Sequence, residues 1–147
     1  MRILLSACLL GLGCRYDGKS RECPEAVRLS DTHELIPVCP EQLGGLPTPR
    51  PPAEIRDGRV INLEGEDVTA AYRKGAEETL RLCRLMGCRT AVLKANSPSC
   101  GCGFVYDGAF SAHLIPGNGV TAQLLLDNGI RVLTEQDLQI TGGVTAF

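Results

Sequence analysis

Residues 2–8 have the sequence RILLSAC, a short apolar run that ends in small residues and a cysteine. An apolar run of this length without polar alternation is typical of a strand buried on both faces of a parallel sheet. Two further runs have the same form: ELIPV at 34–38 leads to Cys39, and TAVLK at 90–94 leads through ANSPSC to Cys100. The sequence predicts a strand at each of these places.

The segments between the strands carry helix, turn and hairpin signals. EDVTAAYRKGAEETLRLCRLMG at 66–87 places apolar residues at helical spacing and ends in a glycine, which predicts a helix. A second helix is predicted at 119–128, and a last strand in IRVLTE at 130–135. The Asp-Gly pair at 57–58 predicts a hairpin. The proline-rich stretch PEQLGGLPTPRPPAE at 40–54 predicts a surface loop without regular structure.

Helices that alternate with short apolar strands predict an α/β fold. We expect a single domain over residues 1–147, with an open parallel, Rossmann-like sheet flanked by helices on both faces and an inserted β-hairpin. Pro37 predicts an edge position or a strand end for its strand. Gly142-Gly143 is expected to lie in a loosely held tail.

Cysteines follow the carboxyl ends of three predicted strands. In open parallel sheets, ligands bind in the crevice outside these ends. Cys8, Cys39 and Cys100 are therefore expected to meet at one edge of the sheet. Three convergent thiolates could hold zinc or an iron–sulfur cluster, or remain plain thiols. Zinc favours four ligands, often as Cys-x-x-Cys pairs that this sequence lacks, whereas three thiolates suit a [4Fe–4S] cluster with one iron left open as a Lewis acid.

The composition limits the classes of protein and partner. The chain has 147 residues, of which 44% are hydrophobic and 22% charged, the balance of a globular domain. A formal net charge of -2 lacks the basic excess on which non-specific nucleic-acid binding depends. No apolar run approaches the roughly 20 residues that cross a bilayer, and the N-terminal run lacks a cleavage site. We expect a cytoplasmic protein without nucleic-acid or membrane partners, and the sequence does not indicate its oligomeric state.

Eight cysteines are a high number for a chain of this length. A small secreted domain would use them as disulfides, but this chain is long enough to bury its own core and carries no export signal, so free thiols are expected. Cys83 and Cys88 flank the end of the long predicted helix and are expected to be packing residues. Cys14, Cys23 and Cys102 have no role that the pattern determines.

Polar residues near the three thiols are candidate acid, base and hydrogen-bonding groups. The small residues SPSCGCG at 97–103 could let their backbone approach an inorganic core closely, or form a plain strand-to-helix turn. Glu41 could act as a general base or acid, and Glu34 is a second candidate. His33 and His113 lack the paired spacing of metal ligands and are expected to be ordinary surface or core histidines.

The tripeptide Tyr-Asp-Gly occurs twice, at 16–18 and at 106–108. The two copies could be two similar turns. Alternatively, polar residues of both copies line the crevice and bind a small planar ligand, namely Arg15, Tyr16, Asp17, Tyr106 and Asp107.

Four blocks of the sequence resemble one known family. They are SACLLGLGCRYDGKS (6–20), PVCPEQLGGLPTPRPPAE (37–54), KANSPSCGCGFVYDGAFS (94–111) and GNGVTAQLLLDNGIRVLTE (117–135). In order and content they resemble the domain of unknown function 523 family, which includes bacterial thiouracil desulfurases, also called desulfidases. The resemblance covers essentially the whole chain.

This resemblance implies a cofactor and an activity. Desulfurases of the family hold a [4Fe–4S] cluster by three cysteines, which would be Cys8, Cys39 and Cys100, and leave one iron open; an aerobically prepared sample can lack the cluster. They remove sulfur from a small thiolated substrate such as 2-thiouracil without net redox change. Ser97 and an acidic residue would activate water and pass a proton, and Glu41 is the best match for that acid.

Several assignments stay open under this resemblance. Glu34 is possible in place of Glu41 because the register of the loop is not determined. The family is broad, so the physiological substrate is also open. The candidate substrate-binding residues are Arg15, Tyr16, Asp17 and Ser99.

Two interpretations without desulfurase chemistry are also open. The domain could be a non-catalytic module with a structural zinc or iron–sulfur site, or a cysteine-based sulfur carrier that relies on Cys100 and Cys102. Cys14 and Cys102 lie outside the common ligand set, so either could be a fourth ligand or a persulfide carrier. A fourth ligand would close the open iron and weaken the desulfurase interpretation.

Overall fold

The fold is given by a computed structural model, which describes residues 1–141. Gly142-Gly143, predicted to lie in a loose tail, falls outside the described residues. In chain order the elements are β1 (Arg2–Ser6), α1 (Pro24–Arg28), β2 (Glu34–Val38), α2 (Pro40–Leu43), β3 (Ala53–Arg56), β4 (Arg59–Asn62), α3 (Thr69–Met86), β5 (Thr90–Leu93), β6 (Phe104–Tyr106), β7 (Leu114–Pro116), α4 (Val120–Asp127), β8 (Arg131–Thr134) and α5 (Glu135–Thr141).

A four-stranded parallel sheet forms the centre of the fold, in the order β2–β1–β5–β8. The predicted α/β class with an open parallel sheet is confirmed, and Pro37 lies in the edge strand β2 as its missing N–H requires. From β1 the chain moves first to β2 on one side and later to β5 and β8 on the other. The carboxyl ends of β1 and β5 therefore flank the point where the strand order reverses, which is where such sheets bind ligands.

Helices cover both faces of the sheet, as predicted. Successive side chains of a strand point to opposite faces. Ile3 and Leu5 pack in one buried cluster with Ala26 of α1 and Leu138 of α5, two helices that the sequence analysis did not predict. Leu4 packs on the other face, against α3 and α4. No helix within residues 1–141 is both long enough and apolar enough to span a membrane.

The longest helix, α3, has the predicted stop signal and a later start. Gly87 follows it with φ 69°, a left-handed conformation that glycine adopts readily. The helix begins at Thr69, after a turn in which the Asp67 carboxylate accepts the backbone N–H of Thr69 at 3.0 Å. Cys83, in the last turn, is fully buried, in agreement with the packing role predicted for it.

Two antiparallel hairpins form two-stranded sheets that are separate from this sheet. The inserted hairpin that the Asp-Gly pair predicts is present as β3 and β4, and its turn residues Asp57 and Gly58 both have positive φ. The hairpin of β6 and β7 was not predicted. Its strands are three residues long and largely exposed, so they lack the apolar alternation by which a strand is recognised.

The prediction of an irregular surface loop at 40–54 is wrong in two respects. The first four residues form the one-turn helix α2, because proline at the first helical position has no N–H to lose and its φ suits a helix. Further along, Arg50 is buried at 8% exposure although it lies among prolines. Helix α2 follows directly on β2 and holds the loop against α3.

Two glycines allow α2 and α3 to meet backbone to backbone. A Cβ atom on Gly75 of α3 would lie 2.0 Å from the carbonyl oxygen of Pro40, and one on Gly44 would lie 2.0 Å from the carbonyl oxygen of Ala71. Only a residue without a Cβ fits at either position. This contact fixes the position of the chain immediately after β2.

Gly75→Ala should therefore destabilise the protein and displace α2. Inserting one methyl group into a packed contact typically costs about 1–3 kcal/mol, which outweighs the better helix propensity of alanine. Thermal and urea unfolding should show this loss. Lys74→Ala, at the exposed neighbouring position, is the control and should stay close to wild type. Equal stability of Gly75→Ala and Lys74→Ala would contradict the close contact.

Candidate active site

A cavity of about 800 Å³ opens at the carboxyl edge of the sheet. Residues that follow β1, β2, β5 and β8 line it, as do residues of both hairpins. Cys8, Cys39 and Cys100 all belong to its wall. The topological expectation that three distant thiols meet at one edge thus agrees with where the structure places them.

The first two thiols are positioned by turns at the strand ends. Cys8 lies in a 3-10 turn directly after β1, and its carbonyl oxygen accepts the backbone N–H of Arg21 at 2.9 Å. Cys39 is the N-cap residue of α2, and its carbonyl oxygen accepts the N–H of Leu43 at 3.0 Å. Because α2 is held by its glycine contact with α3, the position of Cys39 follows from the packing of the helices.

The third thiol lies in a loop that is tied to the start of α4. Backbone N–H groups of Gly119, Val120 and Thr121 donate to carbonyl oxygens of residues 98–101 at 2.7–2.9 Å. The hydroxyl oxygen of Ser97 accepts the N–H groups of Ser99 at 3.1 Å and of Cys100 at 3.0 Å. This loop is therefore held closely in place, and Ser97 and Cys100 both face the cavity.

Two further cysteines, Cys14 and Cys23, also line the cavity, whereas Cys102 is outside its wall. The Cys39 thiol donates to the carbonyl oxygen of Cys14 at 3.6 Å. The contact with Cys14, together with burial, raises the pKa of Cys39. Burial raises the pKa of Cys100 to about 12. Both of these thiols are protonated at neutral pH, so a metal centre that they bind displaces their protons.

The donor set suits a cluster better than a single ion. All eight cysteines are free thiols, and no three His, Cys, Asp or Glu side chains of residues 1–141 converge on the position of one metal ion. A cubane cluster, by contrast, binds each thiolate at a different iron, so its ligands stand apart around a cavity. Three thiols on three separate loops of one cavity fit that requirement.

Glu41 lies in the cavity wall, and one of its carboxylate oxygens accepts two hydrogen bonds from the protein. Its Oε1 accepts the Nε–H of Arg50 at 2.9 Å and the hydroxyl of Tyr72 at 2.7 Å. The Tyr72 side chain is almost fully buried, and burial together with the negative charge of Glu41 raises the pKa of its hydroxyl. The hydroxyl therefore stays a donor, and Glu41 Oε2 is the oxygen left for a ligand or water in the cavity.

Arg50 connects the acid to two of the cysteine loops. Its Nη2 donates to the carbonyl oxygen of Cys14 at 2.9 Å and lies 3.9 Å from the sulfur of Cys39. Its Nη1 donates to Thr48 Oγ1 at 2.9 Å. Burial lowers the pKa of Arg50, but the negative charge of Glu41 and its hydrogen bond to the guanidinium, together with smaller contributions, outweigh burial and raise that pKa. A buried, fully bonded guanidinium thus holds Glu41 beside the thiols.

Glu34, the alternative acid, lies at the opposite end of β2. It is exposed and pairs with Arg2 at 2.6 Å. The cavity lies at the carboxyl ends of the strands, which is the opposite edge of the sheet from Glu34. The geometry therefore favours Glu41.

The remaining predicted residues divide between the cavity and its surroundings. Arg15, Tyr16 and Tyr106 line the cavity, whereas Asp17, Ser99 and Asp107 do not. The Ser99 hydroxyl is buried against Thr121 Oγ1 at 2.9 Å and anchors the loop to α4. It is therefore not available to a substrate.

The two Tyr-Asp-Gly copies share one hydrogen bond of the aspartate, although Tyr16 lies in a turn and Tyr106 ends β6. The carboxylate of Asp17 accepts the N–H of Lys19 at 3.0 Å, and that of Asp107 accepts the N–H of Ala109 at 2.9 Å. In each copy the aspartate bonds to the backbone two residues on, as in an Asx turn. The repetition thus reflects turn chemistry for the aspartates, while the tyrosines reach the cavity.

The sequence matches the family model of 2-thiouracil desulfurase over residues 3–137. The chain belongs to the 2-thiouracil desulfurase family. It is 43% identical over 146 residues to the uncharacterized protein YbbK of Bacillus subtilis (strain 168), covering 92% of this chain and 97% of that protein. It is also similar to the solved structure of the [4Fe-4S]-dependent thiouracil desulfidase TudS, at 43% identity and a TM-score of 0.84, covering 96% of this chain and 95% of that one.

The predicted resemblance to the domain of unknown function 523 family is thereby confirmed, and the fold agrees with that of a solved desulfidase. In this desulfurase-family chain, two polar pairs at the cavity were missed by the sequence analysis. Nothing in the sequence around Arg50 or Tyr72 indicates that both side chains donate hydrogen bonds to Glu41. Lys94 and Glu135, which pair at 2.9 Å in the cavity wall, are the last residues of two predicted strands, so the strand-end rule that selected the cysteines could have found them.

Proposed function

We propose that this protein is an iron–sulfur enzyme that removes sulfur from a small thiolated substrate such as 2-thiouracil, in a non-redox, [4Fe–4S]-dependent desulfuration. One observation carries the proposal: the thiols of Cys8, Cys39 and Cys100 line one cavity together with the carboxylate of Glu41. Family membership and the similarity to a [4Fe-4S]-dependent desulfidase support it. The product would be the corresponding carbonyl compound together with sulfide.

The three thiols would hold the cluster and leave one of its irons without a protein ligand. When bound, the cluster would supply a soft Lewis-acidic iron that binds and polarises the sulfur of the substrate. Cys14 is an additional cysteine of the cavity wall, and its carbonyl oxygen accepts the thiol of Cys39. Cys102 does not line the cavity, so the proposed ligand set does not include it.

Glu41 would act as the general base toward water. Its Oε1 is held by Arg50 and Tyr72, so Oε2 is the atom that takes the proton. The Ser97 oxygen accepts two backbone N–H groups, which leaves its own O–H to orient the water or pass a proton. Both side chains are held by hydrogen bonds before a substrate enters, which favours a single attack geometry.

Arg15 and Tyr16 are the substrate-binding residues that this proposal retains. The Arg15 guanidinium lies 5.4 Å from the centre of the Tyr16 ring, so the two form one polar and aromatic wall. A planar ring could stack on this wall while its sulfur points toward the thiols. A bacterial, cytoplasmic setting, with a small molecule as the partner and neither nucleic acid nor membrane, remains part of the proposal.

Anaerobic reconstitution with iron and sulfide tests this function. We expect about four irons and four sulfides per chain and a broad absorption shoulder in the visible region. The reconstituted protein should then release sulfide from 2-thiouracil or from another thiolated base in a screen. A cluster-loaded protein that releases no sulfide from any of them, or a site that takes up zinc and no iron, would overturn the proposal.

The two alternatives predict other results. In a structural metal module, removal of the metal unfolds the domain, whereas Ser97→Ala and Glu41→Ala change nothing in the folded protein. In a sulfur carrier that relies on Cys100 and Cys102, alkylation of one thiol abolishes activity and chelators have no effect. Only Cys100 of that pair lines the cavity, which disfavours the carrier.

Tyr72→Phe should slow the reaction without weakening substrate binding. Phenylalanine keeps the ring packed beside Ala53 and Val60 but removes the hydroxyl that donates to Glu41. Loss of one hydrogen bond to a charged group, about 1.5 kcal/mol, corresponds to a decrease in kcat of about tenfold. Steady-state kinetics should show this decrease with KM nearly unchanged. A wild-type kcat would mean that Arg50 alone positions the carboxylate.

A further inference from the structure

Lys94 and Glu135 form an ion pair in the cavity wall that the proposed chemistry does not use. The Lys94 ammonium lies 2.9 Å from Glu135 Oε2 and also donates to the carbonyl oxygen of Ala95 at 3.0 Å. The other oxygen of Glu135 accepts the backbone N–H of Ala95 at 2.6 Å. Glu135 is buried, so the pair is a fixed part of the wall.

The ammonium has a hydrogen-bond donor to spare. A lysine ammonium carries three N–H groups, and among residues 1–141 two acceptors engage it, the Glu135 carboxylate and the Ala95 carbonyl. The side chain is 25% exposed and lines the cavity. The two acceptors restrain an otherwise flexible side chain, so the third N–H is held ready for a ligand at little cost in entropy.

Lys94 is also fixed relative to the proposed iron ligands. Its backbone N–H donates to the hydroxyl oxygen of Ser6 at 2.9 Å, and that hydroxyl donates to the sulfur of Cys100 at 3.5 Å. The Ser6 side chain thus fixes the backbone of Lys94 relative to the thiol of Cys100, and the bonds to Glu135 and Ala95 fix the ammonium on that backbone. A substrate held by its sulfur near Cys100 would meet the Lys94 donor with a defined second atom.

We propose that the Lys94 ammonium donates its third N–H to a carbonyl oxygen on the ring of the thiolated substrate. The enzyme would then favour thiolated rings that also carry a carbonyl group over rings that do not. This inference rests on the proposed function. Glu135 balances the charge of the ammonium, which favours a neutral acceptor such as a carbonyl over an anionic group. A heterocycle that lacks the carbonyl would leave the third N–H of Lys94 without a partner, and a desolvated donor without a partner is costly.

The test compares two substrates in Lys94→Met. Methionine keeps an aliphatic stem of similar length and removes the ammonium. With the reconstituted protein, kcat/KM for 2-thiouracil, which has a ring carbonyl, should fall about 10- to 100-fold, the loss expected for a hydrogen bond from a charged donor. For pyrimidine-2-thione, which has no carbonyl, kcat/KM should not fall and should rise, because the variant no longer leaves a desolvated ammonium without a partner. Lys74→Met, at an exposed position of α3, is the control and should behave as wild type.

Lys94→Met alone leaves the buried Glu135 carboxylate without its counter-charge, which could destabilise the fold. The double variant Lys94→Met/Glu135→Gln removes both charges and so avoids this. It should show the same difference between the two substrates. An equal loss for both substrates, or no loss for either, overturns the proposal.

Binding of uracil provides a measurement that does not depend on turnover. Uracil carries the ring carbonyl and no sulfur, and calorimetry with the reconstituted protein should give a Kd about tenfold higher for Lys94→Met than for wild type. If wild type releases no sulfide from any substrate, the proposed function fails while the uracil measurement still tests Lys94. An unchanged Kd for uracil overturns the assignment of Lys94 even in an active desulfurase.

Discussion

Cys100→Ala should abolish both cluster retention and sulfide release, whereas Cys102→Ala should leave both close to wild type. The two cysteines are two positions apart, but only Cys100 lines the cavity. Cys102 packs at the margin of the cluster of buried residues formed with α3 and α4. Loss of one thiolate leaves two ligands for a cluster that needs at least three, so the iron content should fall from about four per chain to near zero.

Iron and sulfide analysis after anaerobic reconstitution, together with the visible absorption spectrum, measures this effect. Replacing a buried thiol with a methyl group costs only about 1 kcal/mol of packing, so both variants should fold, and thermal unfolding checks this. Cys8→Ala and Cys39→Ala should match Cys100→Ala. A full complement of iron in Cys100→Ala would show that another thiol of the cavity wall, Cys14 or Cys23, is the true ligand.

The strand-end rule explains why the sequence alone located the three thiols. Apolar runs such as residues 2–6 and 90–93 bury both faces of a parallel sheet, and this burial predicts strands directly. Once the strands are parallel, residues that follow them share one edge whatever their distance along the chain. The positions of Cys8, Cys39 and Cys100 depend on this topology more than on any local detail.

The polar residues around the thiols could not be placed in the same way. Arg50 lies among prolines in a segment predicted to be irregular, and it is buried where it bonds Glu41, 9 residues before it, and the carbonyl oxygen of Cys14, 36 residues before it. Tyr72 occupies a predicted buried position of α3, but its partner Glu41 is 31 residues away. Helical periodicity predicts which side of α3 is buried and contains no information about which polar group a hydroxyl meets there.

Ser99 and Asp17 show how polar residues of a motif can be engaged by the protein itself. Both are polar residues in the motifs that resemble the family, so proximity in sequence suggested contact with a substrate. The hydroxyl of Ser99 instead bonds to Thr121, and the carboxylate of Asp17 bonds to the backbone of Lys19. Serine and aspartate in tight turns commonly form hydrogen bonds with nearby groups of the chain. Only the direction of the side chain in the structure distinguishes this role from substrate binding.

Glu41→Gln should lower kcat by about 10²- to 10⁴-fold, the range for loss of a general base, while the cluster is retained. Glutamine keeps one oxygen to accept from Arg50 and Tyr72, but its amide nitrogen in place of Oε2 cannot take a proton. Arg50 keeps its bonds to Thr48 and Cys14, so the fold should survive the loss of its charged partner. Iron content and thermal unfolding establish that the variant is folded and loaded before its rate is measured.

Glu34→Gln is the matched control, because Glu34 is the other carboxylate that the sequence left open. It lies at the far end of β2 and pairs with Arg2 on the surface, where an exposed ion pair contributes about 0–1 kcal/mol. Its kcat should equal that of wild type. If kcat decreased in Glu34→Gln and stayed normal in Glu41→Gln, the general base would not be in the cavity. The carboxylate that Arg50 and Tyr72 hold would then have no part in the attack by water. A decrease in Glu41→Gln alone would place the proton transfer at the oxygen that Arg50 and Tyr72 leave free.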